Sequence, residues 1–159
     1  MSPLSISPMT EHHLEPVLAI ERASFSRPWE KLAFLGELVC DHSRNFVLSA
    51  PVPLTPDAII AYTCLRIVLD EIHLMKIAVA PASRERGIAY QFLKECMNLT
   101  THREISSAFL EVRPSNTAGR RLYEKLGFEP VGKRPGYYPE SGEPAIIMKK
   151  TFQRRKPWQ

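Results

Sequence analysis

Apolar positions along this chain change period several times, and each change marks an element. The alternation in "LSIS" at 4–7 reads as a short first strand. Leu14, Val17 and Leu18, with Ile20 beside them, then recur at helical spacing. Pro16 is tolerable only in a first turn, so this helix is expected to begin near His13. "RPWEKLAFLGELV" opens on proline and reads as a second helix, and "NFVLSA" as a strand. "PVPLTPD", three prolines in seven residues, is a loop. "AIIAYTCLRIVL" and "EIHLMKIAV" are rich in β-branched and apolar residues and are joined by a tight "DE". They predict a hairpin of two central strands, the second stopped by Pro81.

Ile88, Phe92, Cys96 and Leu99 return to helical spacing, predicting a helix over 84–101 with Arg84, Glu85 and Arg86 in its first turn. "AFLEV" is a strand. "SNTAGRRLYEKLGF" begins with two residues able to cap, Ser115 and Asn116, and ends at Gly127, which suits a C-cap. "FEPVGKR" and "AIIMKKTF" predict two final strands around "PGYYPESGEP". The order is helices, then strands, then strand–helix–strand: a mixed α/β layer fold.

Length and composition narrow the class. With 159 residues the chain fits one domain and can bury roughly 70% of its unfolded surface. At 44% apolar and 24% charged it reads as a soluble globular protein, one domain over 1–150 with a basic tail at 151–159. A formal charge of +4 is compatible with anionic ligands or a nucleic-acid-rich partner and identifies neither. The densest cluster, Arg154, Arg155 and Lys156, reads as a solvated face. Cys40, Cys64 and Cys96 are odd in number and widely spaced, suggesting neither disulfides nor zinc, and no metal is expected. No basic start followed by an apolar stretch and no membrane-length run is present, so a cytoplasmic protein without membrane contact is expected.

Two constellations carry candidate chemistry. Arg84 to Ala89 has the form R-x-x-G-x-A at a helix start, where unpaired N–H groups and the macrodipole can hold a phosphate. Small residues at Gly87 and Ala89 would let a ligand approach the backbone. A plain charged helix start reads equally well. In "LEVRPSNTAGRRLYEKLGF", Glu111 in a strand and Tyr123 in the next helix can face one sheet edge, a proton acceptor and a proton donor. The alternative is an exposed strand glutamate and a core tyrosine. His73 lies on the strand leading to Pro81 and is a minor candidate to assist a base.

These stretches, with the late "YYP" and "AIIM" and, more weakly, "IERASFSRPW", resemble the GNAT superfamily of acetyl-CoA-dependent N-acetyltransferases. Within it the similarity is greatest to the ribosomal-protein-alanine type, over about residues 13–150. The resemblance implies a central, mostly antiparallel sheet, splayed at the cofactor site, with helices on both faces. It implies that the backbone of Ile77, Ala78 and Val79 pairs with the pantetheine amides of acetyl-CoA, Val79 N–H polarising the thioester carbonyl. Glu85, Arg86, Gly87, Ile88, Ala89 and Tyr90 would wrap the pyrophosphate, with charge from Arg84 or Arg86, and Asn116 would contact the cofactor. Glu111 would be the general base and Tyr123 the general acid. Tyr137 and Tyr138, with Pro28 and Trp29, would shape the acceptor groove.

The chemistry asks for these residue types. An α-amine with a pKa of about 8 is mostly protonated at neutral pH and needs a base before it attacks a thioester. Donors at the carbonyl stabilise the oxyanion, and the departing thiolate needs a proton. Ala89 stands where many relatives have glycine, and Gly119 where alanine is usual, at a cost of roughly 1 kcal/mol. The expected activity is acetyl transfer to a protein N-terminus, the N-terminal alanine of a small-subunit ribosomal protein, with no direct nucleic-acid binding required. Its rivals are transfer to a lysine or small amine, and a ribosome- or RNA-associated module without catalysis.

Overall fold

A computed structural model describes residues 5–50 and 58–153. The loop expected at 51–57 and the basic cluster Arg154–Lys156 lie outside the described residues. The chain forms β1 (Ser5–Pro8), α1 (Leu14–Ser24), α2 (Lys31–Val39), β2 (Ser43–Ser49), β3 (Ile59–Val68), β4 (Glu71–Val79), α3 (Ile88–Thr100), β5 (Ser107–Val112), α4 (Thr117–Lys125), β6 (Glu129–Arg134) and β7 (Ala145–Thr151). Strand order is β1-β2-β3-β4-β5-β7-β6. β4 and β5 run parallel through Glu71–Ser107, Ile72–Ala108 and His73–Phe109. The β1–β2, β2–β3, β5–β7 and β6–β7 ladders are antiparallel. This is the mixed α/β, mostly antiparallel architecture that the sequence predicts.

Two compact units divide the chain: 1–66 with 75–100, and 67–74 with 101–159. In the first unit, α1 places Leu14, Val17, Leu18 and Ile20 in a core with Phe34, Val47, Tyr62, Cys64 and Ala78. Pro16 sits in the first turn of α1, where its missing N–H has no partner to lose. α3 buries Phe92, Leu93, Cys96, Met97 and Thr100. Of the four positions in the predicted face, Phe92 and Cys96 are buried, Ile88 is half-buried and Leu99 is exposed, because the buried stripe runs along 92, 93, 96, 97 and 100. In the second unit, Ala108, Leu110 and Val112 of β5 are buried, as are Tyr123, Leu126, Phe128, Ala145, Ile146 and Met148. β6 is an exposed edge strand, and its ladder shifts register between Pro130 and Gly132, where proline removes a donor.

Three boundaries differ from the sequence reading. The second helix begins at Lys31 rather than at Pro28: Glu30 is extended at its N-cap, and the Trp29 N–H before it donates to the Glu21 carboxylate (2.9 Å). The hairpin turn is Leu69–Asp70, one residue earlier than "DE", with Leu69 left-handed at φ 57°. The third helix begins at Ile88, so Arg84, Glu85 and Arg86 precede it instead of forming its first turn. Glu85 at φ 63° and Gly87 at φ 72° are incompatible with a continuous right-handed helix. The C-cap at Gly127 is as expected, with φ 97° just past the end of α4.

Phe92 has no solvent exposure. Phe92→Ala is expected to lower stability by about 3–5 kcal/mol, read as a shift of the urea midpoint.

Candidate functional site

The sequence-derived candidates fall into two groups, one in each unit. In the first unit, β4 carries Ile77, Ala78 and Val79 to its end, with Ala78 and Val79 buried and Ile77 half-buried. Ala80 N–H donates to Ile60 O (2.7 Å), and a single 3-10 turn over Pro81–Ser83 follows. Arg84 is extended, Glu85 and Gly87 are left-handed, and Arg86 between them is not. Backbone of alternating hand turns successive N–H groups towards one side, the geometry of an anion nest. The free amides of the α3 N-terminus come directly after it. Among the described residues no acceptor takes the N–H of Glu85, Arg86, Gly87, Ile88 or Ala89. Ala89 and Tyr90 are half-buried in the first turn of the helix.

Gly87 matters for a different reason from clearance within the protein. A Cβ built there meets nothing within 4 Å, and the requirement is the left-handed φ. Arg84 is exposed and tethered: its Nε donates to Val79 O (2.9 Å) and its Nη2 to Ser24 Oγ (2.8 Å), which leaves its charge and remaining N–H groups open. Arg86 and Glu85 are exposed. Pro28 and Trp29 are half-buried, the Trp29 ring meeting Phe34 edge-on at 5.3 Å.

In the second unit, Glu111 alternates with buried Leu110 and Val112 on β5 and keeps its side chain 26% exposed. Arg134 Nε lies 3.3 Å from its carboxylate. The Tyr137 hydroxyl donates to the same carboxylate, which, with partial burial and the negative charge, pushes that phenol up against the opposing pull of Arg134. Tyr123 is buried and meets Phe128 edge-on at 6.2 Å. Burial, and secondarily Tyr138, pushes the Tyr123 phenol up to about 12. Among the described residues no hydrogen bond joins Glu111 to Tyr123.

Asn116 is the N-cap of α4, its Oδ1 accepting from Gly119 N–H (2.9 Å). A Cβ on Gly119 would stand 2.5 Å from Asn116 Nδ2, so this glycine admits the cap that alanine would displace. Glu143, which the sequence reading passed over, accepts from Ser115 N–H (3.0 Å) and Oγ (2.8 Å), while its own carbonyl accepts from Tyr138 N–H (3.1 Å). The Ser115 bonds hold its carboxyl below the usual range. Tyr137 and Tyr138 meet edge-on at 5.0 Å, and the Arg113 guanidinium lies 4.2 Å from the Tyr138 ring centre while pairing with Glu140. The tyrosine loop is thereby tied to the start of α4. His73 pairs with Glu71 (2.7 Å) and stacks on Phe109.

The sequence reading also missed Glu21, Tyr62 and Lys76, which meet in the first unit: Tyr62 and Lys76 both donate to the buried Glu21 carboxylate. One signal was available. Glu21 falls seven positions after Leu14 and four after Val17, on the apolar face of α1. Among the described residues no group of three or more His, Cys, Asp or Glu could hold a metal, and no helix is long and apolar enough to cross a membrane.

The pattern of the Acetyltransferase (GNAT) family matches residues 14–128, running through both units. The chain is 34% identical over 146 residues to the [ribosomal protein bS18]-alanine N-acetyltransferase of Haemophilus ducreyi, covering 90% of this chain and 97% of that one. The crystal structure of the Escherichia coli ribosomal-protein-S18-alanine N-acetyltransferase superposes with a TM-score of 0.85 at 30% identity, covering 98% and 97%. Arabidopsis thaliana NAA60, solved in complex with acetyl-CoA, shares the fold at a TM-score of 0.84 and 17% identity, covering 94% and 100%.

The buried phenol gives a spectroscopic expectation. Titrating wild type and Tyr123→Phe by tyrosinate absorbance should give a difference of one phenol ionising near pH 12, above the ordinary value of about 10. A difference centred near pH 10 would show that Tyr123 is solvated.

Proposed function

Because this chain belongs to the acetyltransferase (GNAT) family and is an acetyl-CoA-dependent N-acetyltransferase, we propose that it acetylates the N-terminal alanine of ribosomal protein bS18 in the cytoplasm. The near full-length similarity to an enzyme named for that substrate carries this reading. The arrangement of the candidate residues supports it group by group.

On this reading the backbone of Ile77, Ala78 and Val79 pairs with the pantetheine arm, and Val79 N–H polarises the thioester carbonyl. The amides of Glu85 to Tyr90 hold the pyrophosphate, Arg86 adds charge, and Asn116 contacts the cofactor. Arg84 braces the end of β4 through Val79 and Ser24 and keeps an exposed charge beside the pyrophosphate. Glu111 takes the proton from the α-ammonium, directly or through water. Its present partners, Arg134 and the Tyr137 hydroxyl, hold the carboxylate in place and mark where a cation and a donor can meet it. The amine attacks the carbonyl, the oxyanion forms, and the thiolate leaves.

Tyr123 stays protonated throughout the neutral range, as a donor must. Complete transfer from a phenol near 12 to a thiol of about 8.5 is uphill by more than three powers of ten. Its contribution is therefore a hydrogen bond to sulfur as charge develops, with the proton delivered late. Tyr137, Tyr138, Pro28 and Trp29 shape the acceptor groove.

The test is mass spectrometry of products from acetyl-CoA and peptides differing in first residue, with an N-blocked, lysine-containing control. Transfer to the alanine-starting peptide is expected, and transfer only to lysine would overturn the reading. Glu111→Gln and Tyr123→Phe should each lower kcat by about 10²; unchanged rates in both would remove their assigned roles. Gly87→Val has room for its side chain but forces a β-branched residue into a left-handed φ. It should weaken acetyl-CoA binding by about tenfold or more by calorimetry while the melting temperature changes little.

A further inference from the structure

The first unit encloses a charged group that the acetyl-transfer chemistry leaves unused. Glu21 is 0% exposed, and its carboxylate takes three donors: the Tyr62 hydroxyl, the Lys76 ammonium and the Trp29 backbone N–H at 2.9 Å. The Lys76 ammonium also lies 3.9 Å from the Phe25 ring centre and 4.9 Å from that of Trp29. A carboxylate removed from water is tolerable only when paired and fully hydrogen-bonded, so these contacts form as a set. They converge on residues 25–29, the connection between α1 and α2. Lys76 immediately precedes Ile77 on β4. A second tie runs from Ser24, the last residue of α1, through Arg84 to the Val79 carbonyl. The end of α1 is thus fastened to β4 on both sides of Ile77–Val79.

We propose that Glu21 and Lys76 are positioning residues for the acceptor, locking the Phe25–Trp29 segment to the strand assigned to the pantetheine arm. The inference rests on the reading of Pro28 and Trp29 as part of the acceptor groove. Neither Glu21 nor Lys76 touches the reacting atoms in this scheme; they act through Trp29 and Phe25. Without the lock, the Trp29 N–H loses a charged acceptor and the two rings lose the cation between them. The backbone of Ile77–Val79 remains part of β4. Loss of the lock therefore weakens acceptor binding and spares acetyl-CoA.

The experiment compares Lys76→Met, Lys76→Arg and the double variant Glu21→Gln, Lys76→Met with the parent, all carrying Trp158→Phe. The sequence has two tryptophans, so Trp29 is then the sole tryptophan, excited selectively over the five tyrosines at the red edge of the absorption band. The double variant removes both charges together and leaves no stranded carboxylate, and melting curves verify that it folds. In Lys76→Met and the double variant, KM for an alanine-starting peptide should rise about tenfold, as expected for loss of a charged hydrogen bond. KM for acetyl-CoA should hold, and acrylamide should quench Trp29 more strongly. Lys76→Arg should restore most of the acceptor KM. Unchanged quenching, an unchanged acceptor KM, or equal rises in both KM values would each overturn the proposal. If the parent acetylates only lysine or a small amine, the N-terminal reading fails on its own, and the same comparison with that acceptor still decides the lock.

Discussion

A carboxylate without solvent contact has to find its donors inside the protein, and Glu21 imposes that demand on the whole first unit. Its partners come from the α1–α2 connection, from β3 and from β4, segments far apart in sequence. Satisfying them fixes how α1 lies against two strands at once, because leaving any donor unmade strands a buried charge. Phe34 closes the arrangement with its ring edge-on to Trp29 and to Tyr62, at 5.3 and 5.6 Å. The same device recurs under α2, where nearly buried Glu37 pairs with Arg66 and accepts from Ser43. α1 and α2 are therefore oriented by a charge as well as by apolar contact.

Glu111 shows what changes when such a carboxylate is left partly open. It too has a cation and a phenol as partners, but its side chain keeps a quarter of its surface in solvent and Arg134 is more than half exposed. A buried, fully satisfied carboxylate holds elements together; a half-open one can exchange a partner for an incoming ammonium. The two tyrosines diverge for the same reason. The Tyr62 hydroxyl donates to Glu21, whereas Tyr123 is buried beside Phe128 with its phenol pushed up by burial.

The segment before α3 is governed by backbone conformation rather than by composition. Glu85 adopts a positive φ as Gly87 does, and together they prevent a continuous right-handed helix through the charged approach. Glu85 is exposed, so its charge does not oppose an anion held by the backbone. Gly119 is the counterpart in the second unit. Its cost in helix propensity is offset by the Asn116 cap that its missing side chain admits.

Hydrophobic period by itself determined the elements and their order, because burying one face of a helix or strand leaves a mark every few residues. The existence of α3, the hairpin of β3 and β4, and the strand–helix unit holding Glu111 and Tyr123 were legible on that ground, whereas Leu99, counted on the apolar face of α3, is exposed. Motif spacing made the family legible too. Tertiary structure alone decided three things. It set the helix starts at Lys31 and Ile88, through an extended Glu30 and through left-handed residues whose φ no propensity encodes. It tied the Arg84 guanidinium to Val79 and Ser24. It also joined Glu21 to Lys76 across 55 positions, and Glu111 to Arg134. Periodicity reports which face a residue occupies; it carries no information about which distant charge will meet it there.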